Sequence, residues 1–400
     1  MRKAQSAVKS AADDKAAQLR ALWKRYEHHC TQTNSCPSAG LRHDILQQID
    51  RQEPLKKIML SFPDCGPSDT VQPSLRPLLM ALRDERYTHA QEFHIWSLSL
   101  KQKDIVELCR LLEKRGRTVY PFKSLELLDC KLTEGSLERL AKAAVISYLT
   151  TLCLDYTCVG PEGLKGLLSG GLGASGISSL SLCYCSLGSW SGALLASLLT
   201  NSSVRELYIN GNELQCGGAT ELLKPVAENS QKVAEIQNRT TSITDETELI
   251  SQRSNTASSR QKKAKSKGKK TKKKQEKTKS GHGAAGGPWL EKLHMCDNSI
   301  GGSGKEGLNH LNQFLEILCF IVKFSSCLTE LDLGENHIGE DGGRRLLEAL
   351  RERKEAKLSP IKIQVSTRMS TETFSAILKS AKELKSGKKR RKPKVQYKIM

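Results

Sequence analysis

The stretch L-T-E-L-D-L-G-E-N-H-I-G-E-D-G-G, residues 328 to 343, constrains the chain more than any other. Leu328, Leu331 and Leu333 supply one face of a short strand, Asn336 can bond neighbouring backbone at the turn, and Ile338 closes the layer. Gly339 then releases the chain toward a helix. A single such unit cannot bury its own apolar face, so it is stable only in a stack of copies.

Writing the unit as L-x-x-L-x-L-x-x-N/C-x-L finds those copies. They begin at Ile95 (Leu98, Leu100, Lys103, Ile105), Phe122, Leu149, Ile177 and Val204, in steps of 27, 27, 28 and 27 residues. Two more follow an interruption, at Leu290 and Leu328, and weaker end copies are read at Leu55 (Ile58, Leu60) and Leu358 (Ile361, Ile363). Lys103 and Thr157 stand where the turn Asn or Cys belongs, which predicts looser turns there. Between strands the apolar spacing becomes helical, as in Leu137, Leu140, Ala141 and Ala144. Each unit therefore reads as strand, turn, helix.

The segments L-Y-I-N-G-N-E-L (207 to 214) and L-D-L-G-E-N-H-I (331 to 338), with this period, resemble the ribonuclease-inhibitor class of leucine-rich repeats. The resemblance covers about Leu55 to Leu378 and implies an α/β solenoid, a horseshoe with parallel strands on its concave face and helices on its convex face. It also implies that the concave face binds a protein partner. Alternation along each strand places Leu128, Thr151, Asp155, Ser181, Cys183, Tyr208, Asn210, Lys292, His294, Asp332 and Gly334 on that face. Tyr208, large, rigid and amphipathic, is the strongest anchor among them.

The net charge of +20 suggests a polyanion until it is located. Residues 261 to 279 hold eleven Lys against one Glu, and residues 382 to 398 hold nine Lys or Arg against one Glu, leaving only +2 elsewhere. The candidate polyanion contacts are Lys262, Lys263, Lys265, Lys267, Lys269, Lys270, Lys272, Lys273 and Lys274, with Lys388, Lys389, Arg390, Arg391 and Lys392. The first tract has neither Arg nor an aromatic, which excludes base stacking and bidentate base reading and leaves charge attraction blind to sequence. Acidic tubulin tails, anionic lipid or nucleic acid satisfy it equally. Residues 262 to 274 also resemble a nuclear localisation signal.

The expected organisation is a helical cap (1–54), a first block of repeats (55–229), a disordered Lys-rich insert (230–287), a second block with a terminal cap helix (288–381) and a basic tail (382–400). Leu19, Leu22, Trp23 and Tyr26 mark the first cap, and the prolines and Gly66 between Pro63 and Pro77 mark an irregular connection. The run Tyr26, Cys30, Pro37, Ile45 is similar to the opening of centrosomal and ciliary leucine-rich repeat proteins. Thirteen cysteines without a C-x-x-C pair, no secretory leader and no long apolar span point to an intracellular protein with structural thiols. G-L-G-A-S-G (171 to 176) matches a dinucleotide fingerprint by letter, but a helix precedes it and a strand follows, so the glycines are read as stopping a helix. No catalytic constellation, metal set or cofactor motif appears, and the chain reads as a scaffold of the cilium, axoneme or centrosome. The alternative is a nuclear protein holding RNA or chromatin through its lysines.

Overall fold

The computed structural model describes residues 2–61, 73–200, 202–255, 289–304 and 306–386. Side chains are described except in 2–13, 236–255 and 382–386. Two helices open the chain, α1 (Arg2–Gln32) and α2 (Ala39–Arg51). Strands and helices then alternate as β1 (Lys57–Ser61), α3 (Leu75–Asp84), β2 (Glu92–Trp96), α4 (Gln102–Leu112), β3 (Ser124–Leu128) and α5 (Glu134–Val145). They continue as β4 (Thr151–Cys153), α6 (Gly160–Ser169), β5 (Ser179–Ser181), α7 (Ser191–Thr200), β6 (Glu206–Tyr208) and α8 (Gln215–Asn255). After the interruption come β7 (Lys292–His294), α9 (Gly307–Phe324), β8 (Glu330–Leu333), α10 (Gly339–Glu355), β9 (Lys362–Val365) and α11 (Thr371–Ser386).

All nine strands form one open sheet in chain order, and every pairing is parallel. Parallel neighbours need a crossover, and the helices supply it. One register row runs through the whole sheet: Ile58, Phe93, Leu125, Leu152, Leu180, Leu207, Leu293, Leu331 and Ile363. Each of these side chains is buried, and burying one such residue contributes about 1.5–3 kcal/mol. This is a leucine-rich repeat solenoid.

The turns are held by a ladder of buried polar groups. Asn336 Nδ2 donates to Met295 O and Leu333 O while its Oδ1 accepts from the Asn298 and Ile300 amides. Asn212 does the same across β5 and β6, donating to Leu182 O and accepting from the Cys185 amide. Where Cys replaces Asn, the thiol donates: Cys130 Sγ to Ile95 O and Cys185 Sγ to Leu154 O. Burial pushes both thiols up to about 11, which keeps the proton that makes them donors. Thr157 is buried and its hydroxyl donates to Leu154 O at 2.5 Å, so that turn is closed and not loose.

Several readings of the sequence need correction. In the second strand Phe93 and Ile95 pair with Leu125 and Leu127, so this unit begins at Ala90, and Leu98 takes the turn position; Lys103 belongs to α4. Its start lies 32 residues before Phe122, not 27. In the last strand Ile363 pairs with Leu331, placing the unit start at Pro360 and not Leu358. Finally, α8 continues past residue 229, where the insert was expected to begin, and runs to Asn255. Pro77 lies within the first turn of α3, where its missing N–H costs nothing, so the irregular connection ends before it. Residues 62–72, the lysines of 261–279 and those of 388–392 lie outside the described residues.

Both ends are covered. Leu19, Leu22, Tyr26 and Cys30 are buried where α1 meets α2 and α3, and the Tyr26 hydroxyl accepts the Ser38 amide at 3.2 Å. At the other end Ile377 and Ala381 of α11 are buried, and Glu340 accepts the Ser370 amide at 2.8 Å and the Thr373 hydroxyl at 2.7 Å. Gly170 ends α6 and Gly171 turns the chain at φ +83° into a single 3-10 turn before β5. The fingerprint-like glycines thus stop a helix.

Candidate functional site

The outward side chains of the sheet form one continuous surface, because a parallel register stacks equivalent positions into columns about 4.8 Å apart. Every residue assigned to this face from the sequence lies on the strands or at their carboxyl ends. The register also places Glu92, His94, Trp96, Glu126, Cys153, Glu206 and Glu330 there, which the sequence reading omitted. The first three were missed because the second unit was placed five residues late.

At the amino end of the array His94, 8% exposed, sits between two carboxylates. Its Nδ1 lies 3.1 Å from Glu126 Oε2 and its Nε2 3.5 Å from Glu92 Oε2, both off the hydrogen-bond line. Trp96 Nε1 donates to Glu126 Oε1 at 2.6 Å. His94 and Trp96 together hold the Glu126 carboxyl below the usual range.

A second cluster spans β6 to β9. The Tyr208 and His294 rings lie 4.7 Å apart at 51°, and the Tyr208 hydroxyl donates to Glu206 Oε2 at 3.3 Å. Lys292 Nζ meets Glu206 Oε1 at 2.6 Å, lowering that carboxyl and raising the lysine. Lys362 Nζ meets Glu330 Oε1 at 2.6 Å and lowers it likewise. His294 lies between Glu330, at 3.3 Å, and Asp332, at 3.6 Å. Tyr208, Lys292, His294 and Asp332, chosen from the sequence, are therefore brought together.

Other chosen residues serve the turns. Asp155 Oδ1 accepts the Ser181 hydroxyl and the Cys183 amide, and Asn210 Oδ1 accepts the Cys296 amide. Asp332 Oδ1 accepts the Gly334 amide at 2.9 Å. Cys183 is 8% exposed, and Leu128 and Thr151 are half-buried. Burial pushes the Cys153 thiol well above its ordinary range, with the Asp155 charge adding to it. Thiols raised this way are poor nucleophiles and poor metal ligands.

The carboxyl edge of the sheet carries a feature that the repeat pattern does not encode. Tyr156 and Tyr184 occupy successive turns, stack at 4.9 Å with planes 7° apart, and remain 51% and 41% exposed. The Tyr184 ring lies on the backbone of Gly211, where an added Cβ would meet it at 2.2 Å. The equivalent turn positions in other repeats are Ser97, Asp129, Asp297 and Glu335, all exposed and all at positive φ.

Among the described residues, no group of three or more His, Cys, Asp or Glu is arranged to hold a metal, and no helix is long and apolar enough to cross a membrane. A concavity of about 1330 Å³ lies away from the strand face. It opens between the end of α1, α3 and α4. The strand face presents mostly polar side chains across nine strands, an extent suited to a macromolecule.

Fold and surface together define a leucine-rich repeat solenoid, a fold that typically serves as a non-enzymatic interaction scaffold. Residues 324–347, which span the repeat at Leu328, match the family model described as Leucine Rich repeat. No curated protein matches the chain.

Proposed function

We propose that the protein is a non-enzymatic scaffold that docks a protein partner on the concave strand face, with Tyr208 and His294 at the centre of the contact. The carrying observation is the β6–β9 cluster, an amphipathic ring pair surrounded by charges already paired within the sheet. Paired carboxylates and lysines at the rim cost little to cover and fix register, while a tilted aromatic pair offers rigid area.

The lysine tracts supply a second, sequence-blind attraction to an acidic surface, such as tubulin tails, and the resemblance of the opening segment favours a cilium, axoneme or centrosome as the place. Both rest on the sequence. The test is localisation of the tagged full-length chain in ciliated cells, beside one variant lacking 261–279 and 388–394 and another carrying Tyr208→Ser and His294→Ser. Axonemal or centriolar signal weakened by either change supports the reading. Nuclear signal that is lost with the lysines would replace it with a nucleic-acid-binding one.

A further inference from the structure

The carboxyl half of the strand face differs from the amino half in charge. Its outward columns and the turn column beyond them hold Glu126, Asp129, Asp155, Asp297, Asp332 and Glu335, with no Lys or Arg among the described residues. The three lysines of the face, Lys57, Lys292 and Lys362, all lie in the column nearest the strands' amino ends. In a chain of net charge +20 this edge is acidic. Asp129, Asp297 and Glu335 are exposed, and among the described residues no hydrogen bond or ion pair is made to their carboxylates.

Into this edge the fold sets the Tyr156–Tyr184 stack; Tyr184 is covered by Tyr156 on one face and by Gly211 on the other, which leaves open the outer face of Tyr156, on the Asp129 side, and that face carries the negative part of the ring quadrupole. Aromatic faces flanked by free carboxylates attract a cation twice, by charge and by cation–π contact, and repel phosphate. The chain makes the same contact internally, with Lys114 Nζ 4.1 Å from the ring centre of Tyr148, which is 49% exposed. Spacing agrees too: the turn column runs Asp129, Tyr156, Tyr184, Gly211, Asp297 and Glu335, one strand spacing apart, so an extended segment crossing the turns meets acidic, aromatic and again acidic positions.

We infer that the ledge formed by Tyr156, Tyr184 and Gly211, with Asp129 and Asp297 on either side, is a docking site for an arginine- or lysine-bearing extended segment of a partner protein. This rests on the reading of the strand face as a docking surface and names the chemistry of what docks at its edge. Nucleic acid and anionic lipid are excluded from this edge by the same carboxylates.

The test is titration of the full-length chain with a fluorescent twelve-residue peptide of alternating Arg and Gly, and with its Glu–Gly counterpart. Expected is saturable binding of the Arg peptide alone, weakening as salt rises. The variant Tyr156→Leu with Tyr184→Leu keeps apolar bulk and loses the ring face, and should bind about tenfold more weakly with an unchanged melting curve. Asp129→Asn with Asp297→Asn should weaken binding and flatten its salt dependence. Equal binding by the leucine variant, or of both peptides, overturns the assignment. So does binding that emerges only when residues 261–279 are removed, which would make the chain's own lysines the occupant. If the peptide fails to bind while a partner still crosslinks at Tyr208, this inference falls alone; if both fail, the parent reading falls with it.

Discussion

Arg353 offers the sharpest test of how the second block of repeats is held. It is fully buried on α10 and, among the described residues, has no carboxylate partner; its guanidinium instead donates to four carbonyls, Val322, Ser325, Leu328 and Ser359, at 2.8–3.0 Å. Val322 lies in the last turn of α9, and Leu328 begins the next repeat, so one side chain ties a helix end, a loop and a strand entry together. Burial lowers its pKa to about 10, which leaves it charged at neutral pH. Replacing it with Met keeps most of the volume and leaves four acceptors without a donor. At about 1–3 kcal/mol for each buried acceptor the loss is about 4–12 kcal/mol, offset by several kcal/mol of guanidinium desolvation that no longer has to be met. A net loss of about 3–5 kcal/mol is expected, a large share of a typical domain's stability. Arg353→Lys should recover little, because an ammonium cannot reach four diverging acceptors. Urea unfolding followed by circular dichroism measures the change, and amide exchange should rise first between residues 322 and 365. A Met variant within about 1 kcal/mol of the parent would refute the argument.

Other perturbations probe the remaining links. Leu207→Asp puts a charge in the central register row and should abolish cooperative unfolding; an unchanged melting curve would contradict the register. Gly192→Val should destabilise by more than about 2 kcal/mol in the same assay, because even a Cβ there would lie 2.1 Å from Gly218 O where α7 meets α8. Glu340 is held down to about 2 by the hydrogen bonds that fasten α11, first the Ser370 amide. A depressed carboxyl contributes stability above its unfolded pKa, near 4.5, and loses it as pH falls toward 2. An acid titration should therefore show the end near α11 loosening in that window, and Glu340→Gln should remove part of that pH dependence.

The leucine rows were legible because a parallel stack repeats one spacing, and the Asn and Cys turn positions because few residues can bond two neighbouring turns at once. The second unit misled for a physical reason. Ile95, Leu98 and Leu100 reproduce the spacing L-x-x-L-x-L, while the true start, Ala90, is small and Leu98 sits where a polar side chain is usual. Only pairing with β3 separates the two. The last unit slipped by two residues, which preserves the faces of a strand and so leaves no error in apolar pattern. Continuation of α8 past residue 229 was hidden by its lack of apolar period, although its Gln, Glu, Ala and Lys favour a helix. Arg353 reads as a surface cation from sequence, and the Tyr156–Tyr184 ledge lies in a turn column that carries no core residue. Both belong to tertiary placement.

The central claim is that the strand face does the docking. A photo-crosslinking amino acid placed at Tyr208, and in a parallel chain at Lys165 on the exposed side of α6, tests it in cells. Position 208 should give one recurrent protein adduct, absent from position 165 and lost when His294→Ser is added. Adducts that form equally from both positions, or from 165 alone, would contradict it.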